Sequence, residues 1–326
     1  MPKYFVPTAR PAGVRKGRRA DDSYGATARP DWRTIDWPAH LHQVEIDGTP
    51  VNYVDIGSGD RHPVVLVHGL GGQWQNWLEN IPRAAQERRV IAIDLPGFGL
   101  SPMPRREITI PGYGRTVNAL CDLLGLGLVE LVGNSMGGFI SAEVAIQFPQ
   151  HVDRLILVSA AGITSADLDR RPIQTLGRIA TVLTNWSAPL DRKIASRAKA
   201  RHLALALVAR HPSLLKADLA YEGFFKGTGK PGFNDALLAC LEYDFRERLP
   251  EIGVPTLIVW GEQDSIIPVK DANEFERLIP DSRKVVMTQT GHITMAERPA
   301  AFNDLMMDFL AESGPASLAG HGALRS

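Results

Sequence analysis

Apolar residues in this chain follow two rhythms that take turns. Pro63-Val-Val-Leu-Val-His-Gly is a short continuous apolar run closed by turn residues, the pattern of a strand buried on both faces. Arg89–Leu95, Leu128–Val132, Arg154–Ala160, Thr256–Trp260 and Lys284–Met287 repeat it. Between most of these runs the spacing turns helical, over Trp74–Gln86, Gly112–Leu124, Ser135–Phe148, Asp271–Leu278 and Pro299–Glu312. Ahead of the first run, Gln43–Ile46, the turn Asp47-Gly48 and Val51–Ile56 read as a β-hairpin. This alternation predicts an α/β fold with a mostly parallel, doubly wound sheet covered by helices on both faces.

One stretch breaks the alternation. From about residue 165 to 248 the chain offers no convincing strand, only helical segments rich in Leu, Ala and Arg. An insertion at that point projects over the carboxyl ends of the strands, where open α/β sheets bind ligands. The expected organisation is a core of residues 41–164 and 249–312 with a helical cap over 165–248. Residues 1–40 are rich in Arg, Pro, Gly and Asp without periodicity and predict a basic, loosely ordered arm, laid on the body through Trp32 and Trp37. The small, polar stretch 313–326 predicts a disordered tail.

Composition narrows the classes. With 44% hydrophobic and 22% charged residues, the 326-residue chain has the make-up of an ordinary globular protein. A formal net charge of +0 gives no reason to expect nucleic acid as a partner. Cys121 and Cys240 sit in apolar helical patterns and in no metal or redox spacing, so buried thiols are expected, with no metal. No apolar run approaches the roughly 20 residues of a membrane span. The basic N-terminus lacks the hydrophobic core of a secretory signal, so a cytoplasmic location is expected. No stable membrane insertion is expected, while the polybasic arm leaves peripheral contact with anionic lipid open. Nothing in the pattern specifies an oligomeric state.

The candidate chemistry centres on Leu131-Val132-Gly133-Asn134-Ser135-Met136-Gly137-Gly138. β-forming residues enter it and a helical run leaves it, so Gly-x-Ser-x-Gly stands in the strand–turn–helix setting of a nucleophile elbow. Alone, the pattern also arises by chance in glycine-rich loops. A serine hydroxyl needs a base to become a nucleophile, and the base needs an acid to hold its tautomer. In this order of elements the acid and the base should follow the serine. Of the nine histidines, His292 lies just past the last predicted strand, in Thr290-Gly291-His292-Ile293. Asp264 follows the Thr256–Trp260 strand in Gly261-Glu262-Gln263-Asp264 and is placed ahead of Glu262 on reach.

An oxyanion needs two N–H donors. The residue after the nucleophile, Met136, supplies one, and Leu70, in the glycine-rich loop His68-Gly69-Leu70-Gly71-Gly72, the other. That loop lacks the endings of a P-loop or a dinucleotide fingerprint. His68 is read as a structural histidine bonding loop backbone. Asp94 is read as a turn and cap acid that shapes the rim.

Taken together, His-Gly-Leu-Gly-Gly, Asp-Leu-Pro-Gly-Phe-Gly-Leu-Ser, Gly-Asn-Ser-Met-Gly-Gly, Trp-Gly-Glu-Gln-Asp and Gly-His-Ile-Thr-Met-Ala-Glu-Arg-Pro make the chain resemble an α/β-hydrolase-fold serine hydrolase over residues of about 45–312. The resemblance implies Ser135 as nucleophile, His292 as base, Asp264 as its orienting acid, Leu70 and Met136 as oxyanion donors, and no cofactor. Ser135 argues against the dehalogenases and epoxide hydrolases of the fold, which carry Asp at the elbow. The surroundings of the triad are similar to those of carboxylesterases and monoacylglycerol lipases, which implies a small-molecule ester as substrate. The elbow is also similar to that of meta-cleavage-product hydrolases, which cut C–C bonds in dienoic ring-fission products. Those enzymes have a longer glycine loop, a Trp where this chain has Ile293, and a cap arginine. Arg170, Arg171, Arg178 and Arg192 are candidates for the last. A non-catalytic, ligand-binding member of the fold is the minor alternative. For substrate contact the candidates are Trp186, Phe224 and Phe225 from the cap, with Ile266 and Ile293 beside the acid and the base.

Overall fold

The structure, a computed structural model, describes residues 23–167, 191–226 and 231–312. Eight strands form one sheet: β1 (Leu41–Ile46), β2 (Thr49–Ile56), β3 (Val64–Val67), β4 (Val90–Ile93), β5 (Val129–Asn134), β6 (Val152–Val158), β7 (Thr256–Gly261) and β8 (Ser282–Met287). Their order across the sheet is β1-β2-β4-β3-β5-β6-β7-β8. The β1–β2 hairpin is antiparallel and joins β4 antiparallel, and every pairing from β4 to β8 is parallel.

The continuous apolar runs are explained by what lies on the two faces. Val65, Val67, Leu131, Leu155, Leu157, Ile258 and Trp260 point into one core with Phe139, Phe245 and Phe275. Their neighbours Val64, Leu66, Val132, Ile156, Leu257 and Val259 point into the other, with Trp77, Met295 and Phe302. Side chains alternate with a period of two, so a strand covered on both sides has to be apolar at every position. Each fully buried side chain of this size contributes roughly 1.5–3 kcal/mol.

The helix expected over Trp74–Gln86 is broken. Trp74–Trp77 forms a 3-10 turn and Ile81–Ala84 a single α-turn. Pro82 explains the break: it has no N–H to donate, and its ring would clash with the carbonyl of residue 78 in a continuous helix. Here it sits in the first turn, where both defects are harmless.

The described part of the insertion contains helices Asp191–Ser196, Ala198–Leu205 and Phe233–Glu242 and no strand. One α-turn, Ala217–Ala220, runs into a π-helical turn at Tyr221–Phe225. That turn is fastened to the core by the Gln73 side-chain N–H on Glu222 O (3.0 Å) and by Asn76 on Gly223 O. Gly232 N–H donates to Gly97 O at 3.1 Å. At the far end Tyr243 and Arg248 both donate to the buried Glu143, at 2.9 and 3.0 Å.

Of the segment expected as a loosely ordered arm, residues 23–40 lie against the body. Ala28 N–H and Trp32 Nε1–H donate to the Glu79 carboxylate at 2.7 and 3.0 Å. Trp37 packs against Trp74 with ring centroids 4.9 Å apart, and Arg33 pairs with Asp218 of the insertion. Buried aromatic area and bonded backbone hold this segment on the body. Residues 1–22 and 313–326 lie outside the described residues. Among the described residues no helix is long and apolar enough to cross a membrane.

Candidate active site

At the end of β5 the chain turns so sharply that Ser135 takes φ 56° and ψ −120°, and the helix Met136–Gln147 begins at the next residue. A non-glycine residue with that backbone is strained and persists only where its surroundings hold it. Ser135 N–H donates to Val158 O at 2.9 Å, and Ser135 O accepts from Phe139 and Ala161. The flanking glycines are dictated by contact: a Cβ on Gly133 would stand 2.2 Å from Gly137 O, and one on Gly137 2.1 Å from Val67 O. Half-buried, the Ser135 side chain is carried at the carboxyl end of the sheet.

The loops after β7 and β8 bring Asp264 and His292 together. His292 Nδ1–H donates to Asp264 Oδ2 at 2.8 Å, with side-chain exposures of 6% and 0%. The other oxygen, Asp264 Oδ1, accepts the N–H groups of Ile266 (2.8 Å) and Ile267 (2.9 Å). The carboxylate is therefore clamped, and its hydrogen bond fixes which imidazole nitrogen carries the proton. Glu262 is turned aside and accepts from Gln263 Nε2. The elbow and the His292 loop are also tied directly. Asn134 Nδ2 donates to Val158 O at 3.1 Å and to His292 O at 3.3 Å. Sequence reasoning passed over Asn134, although it occupies the first variable position of Gly-x-Ser-x-Gly.

The glycine loop after β3 lies against the serine, since a Cβ on Gly69 would stand 3.1 Å from Ser135 Cβ. Neither Leu70 N–H nor Met136 N–H has a partner among the described residues. Met136 N–H also belongs to the first turn of a helix, whose N–H groups have no intrahelical acceptor. Phe233, missed from the sequence, packs its ring on Gly71 from the cap side. Its only sequence signal is an aromatic residue beside Gly232 at a helix start.

His68 has both nitrogens in use: Leu95 N–H donates to Nε2 at 3.1 Å, so Nδ1 carries the proton and donates to Gly69 O at 2.8 Å. Burial pulls its pKa down to about 4, so it is a neutral strut between two loops. Asp94 is buried and accepts from Asn52 Nδ2, Trp74 N–H and Leu100 N–H at 2.8, 2.8 and 2.9 Å. It holds the rim loop to the sheet.

The substrate-contact candidates fare unequally. Ile293 and Phe225 are buried in the core cluster around Phe302, because apolar area on the inner faces of the base loop and the π-turn is taken up by packing. Phe224 is half-buried against the same cluster. Ile266 is 46% exposed, and what it gives the acid is its N–H. Trp186, Arg170, Arg171 and Arg178 lie outside the described residues. Arg192 is exposed, its guanidinium 4.9 Å from the centre of the Tyr221 ring. The described residues contain no cluster of His, Cys, Asp and Glu suited to a metal ion.

Residues 62–299 match the family described as alpha/beta hydrolase fold. A 2-hydroxy-6-oxo-2,4-heptadienoate hydrolase of Pseudomonas putida is 33% identical over 282 residues, covering 81% of this chain and 94% of its own. The dihydrolipoyllysine-residue acetyltransferase component of an acetoin cleaving system, also of Pseudomonas putida, is 32% identical over 277 residues, covering 82% of this chain and 68% of its own. Among solved structures a membrane phospholipase A superposes with a TM-score of 0.66 at 26% identity, covering 85% of this chain and 88% of its own.

Proposed function

The chain belongs to the α/β-hydrolase fold family, and on that premise we propose that it is a serine hydrolase cleaving carboxylic esters, of short to medium acyl chains or of monoacylglycerols, through an acyl-enzyme. Ser135 is the nucleophile, His292 the general base and Asp264 the group that orients it. The reading is carried by one observation, the 2.8 Å bond from His292 Nδ1–H to a clamped Asp264, in a loop tied by Asn134 to the strained serine.

The chemistry follows from these positions. His292 Nε2 removes the hydroxyl proton as Ser135 Oγ attacks the ester carbonyl carbon. Charge gathers on the carbonyl oxygen, where Leu70 and Met136 N–H groups stabilise it. The tetrahedral intermediate collapses, the C–O bond breaks, and His292 gives its proton to the departing alcohol. Water, activated by the same imidazole, releases the acid. The described residues of this route need no cofactor.

A second reading is hydrolysis of a C–C bond in a dienoic ring-fission product. It is favoured by the heptadienoate hydrolase relative, whose whole length this chain nearly spans, and by the exposed cap cation Arg192, which offers a partner to a substrate carboxylate. One panel separates the two: 4-nitrophenyl esters from acetate to palmitate, a monoacylglycerol and a dienoic ring-fission product. The proposal expects kcat/KM highest for an ester of medium chain. A dienoic substrate turned over faster than every ester would replace it by the second reading. Turnover of nothing in the panel, by protein that binds these compounds, would favour a non-catalytic member of the fold.

A further inference from the structure

The candidate base is held by a group that none of the expected roles includes. Glu297 lies one short turn after His292, and its carboxylate has no exposed surface. Oε1 accepts Gly291 N–H at 2.9 Å. Oε2 accepts Arg210 N–H at 2.7 Å and the hydroxyl of Tyr24. These donors come from three separate stretches: the base loop, the cap, and the N-terminal segment outside the matched residues 62–299.

Backbone bonds reinforce the junction. His292 N–H donates to Val208 O at 2.9 Å, Gly25 N–H to Glu297 O at 2.7 Å, and His211 N–H to Tyr24 Oη at 2.8 Å. The packing is close, for a Cβ on Gly291 would stand 2.9 Å from Arg210 N. Arg298 covers the Tyr24 ring at 5.6 Å and donates to Thr290 Oγ1 at 3.1 Å and Ser23 Oγ at 2.7 Å.

A carboxylate without water is costly unless its oxygens are bonded. Gly291 N–H, Arg210 N–H and the Tyr24 hydroxyl all donate to the Glu297 carboxylate, the kind of set an ionised carboxylate accepts. Burial pushes its pKa up, and the bonds from Tyr24 and from the backbone of Arg210, Gly291 and Ile293 oppose that shift. If packing alone were needed here, an apolar side chain would fill the space at lower cost. The bonds instead fix the amide of Gly291, the residue before His292, while Val208 O and Asn134 Nδ2 fix the backbone of His292 itself.

We propose that Glu297 is a positioning residue for His292, and that Tyr24 is its outer strut, so that one buried carboxylate locks the cap and the N-terminal segment to the base loop. The proposal rests on His292 being the base of the hydrolase reading. Its test therefore combines a measurement of placement with one of rate. In wild-type protein the His292 Nδ1 proton, bonded to Asp264, gives a single downfield proton resonance. In Glu297→Gln that resonance should broaden or move upfield. The second-order rate of fluorophosphonate labelling at Ser135, and kcat on any ester of the panel, should fall about ten- to a hundredfold with KM little changed, the size of effect that small misplacement of a reacting group produces. Tyr24→Phe removes one oxygen from a less critical place, should fold even where Glu297→Gln does not, and should shift the same resonance with a rate loss of about threefold to tenfold. An unchanged resonance in either folded variant overturns the proposal, whatever the rates do. So does a variant in which the melting temperature alone falls. A shifted resonance in protein whose wild type neither labels nor turns over anything would support the placement while refuting the hydrolase reading.

Discussion

Asp264→Asn is the substitution whose outcome the geometry constrains most tightly. The side chain is isosteric and fully buried, so packing is unchanged. Asn, however, has only one acceptor oxygen and one NH2. At this position two backbone donors, Ile266 N–H and Ile267 N–H, point at Oδ1 at 2.8 and 2.9 Å. The amide oxygen must face them, since the reverse placement sets an NH2 against two N–H groups. The NH2 is thereby aimed at His292 Nδ1, 2.8 Å away in the parent. Nδ1 must then accept, the ring proton moves to Nε2, and the nitrogen that should take the Ser135 proton already carries one. A wrong tautomer of this kind costs on the order of 10⁴ in kcat, or about 5 kcal/mol of transition-state stabilisation. The assay is steady-state ester turnover alongside fluorophosphonate labelling, with melting temperature as the control for folding. Glu262→Gln is the companion variant, because Glu262 bonds Gln263 and not the imidazole; its loss should stay below about tenfold. A folded Asp264→Asn protein that keeps a tenth or more of the activity, or a larger loss in Glu262→Gln, would refute the assignment of Asp264.

Three further outcomes follow from the structure. His68, fully buried and neutral, has a pKa lowered to about 4; the unfolded chain takes up its proton first as pH falls through about 6.5, so stability is lost between there and about pH 4, by about 3 kcal/mol in total. Urea unfolding across that range should show a shallower acid limb in His68→Gln, and equal slopes in both proteins would contradict it. Glu130→Gln should destabilise by about 3–5 kcal/mol, since it leaves the Arg88 guanidinium, 1% exposed, without its charge partner; the double change Arg88→Met with Glu130→Leu should recover most of that in the same unfolding assay, and a single variant as stable as wild type would disprove the dependence. Phe224→Ala should shift the preferred acyl chain length, with about fourfold in kcat/KM for each methylene that gains or loses contact, while acetate turnover changes little; an unchanged chain-length profile would make Phe224 a packing residue only.

Much of the fold was legible because burial on both faces writes itself into the chain as unbroken apolar runs. β3, β4, β5 and β7 appear as such runs, and the doubly wound sheet follows from their alternation with helices. The break at Pro82 was also legible in principle, and the apolar spacing around it masked it. The elbow was readable because contact distances of about 2 Å leave glycine no alternative at positions 133 and 137. What stayed hidden depends on partners remote in the chain. Nothing near Tyr24 or Glu297 announces that they meet across 273 positions. The same holds for Asn134, whose side chain reaches His292 O, and for Glu79, whose carboxylate takes up the Trp32 Nε1–H. Ile293 and Phe225 show the converse, apolar residues near a site whose area is also packed into the core beneath it.

Trapping the acyl-enzyme is the most direct test of what this site does. Wild-type protein is mixed rapidly with a 4-nitrophenyl ester, the release of 4-nitrophenolate is followed from the first turnover, and quenched samples are digested and mapped by mass spectrometry. With Ser135 as nucleophile, a burst of about one equivalent per protein should precede the steady rate if deacylation is the slow step. The acyl group should then lie on the peptide containing Ser135, and Ser135→Ala protein should give neither burst nor adduct. An acyl group on any other side chain, or steady turnover retained by folded Ser135→Ala, would contradict the role assigned to Ser135.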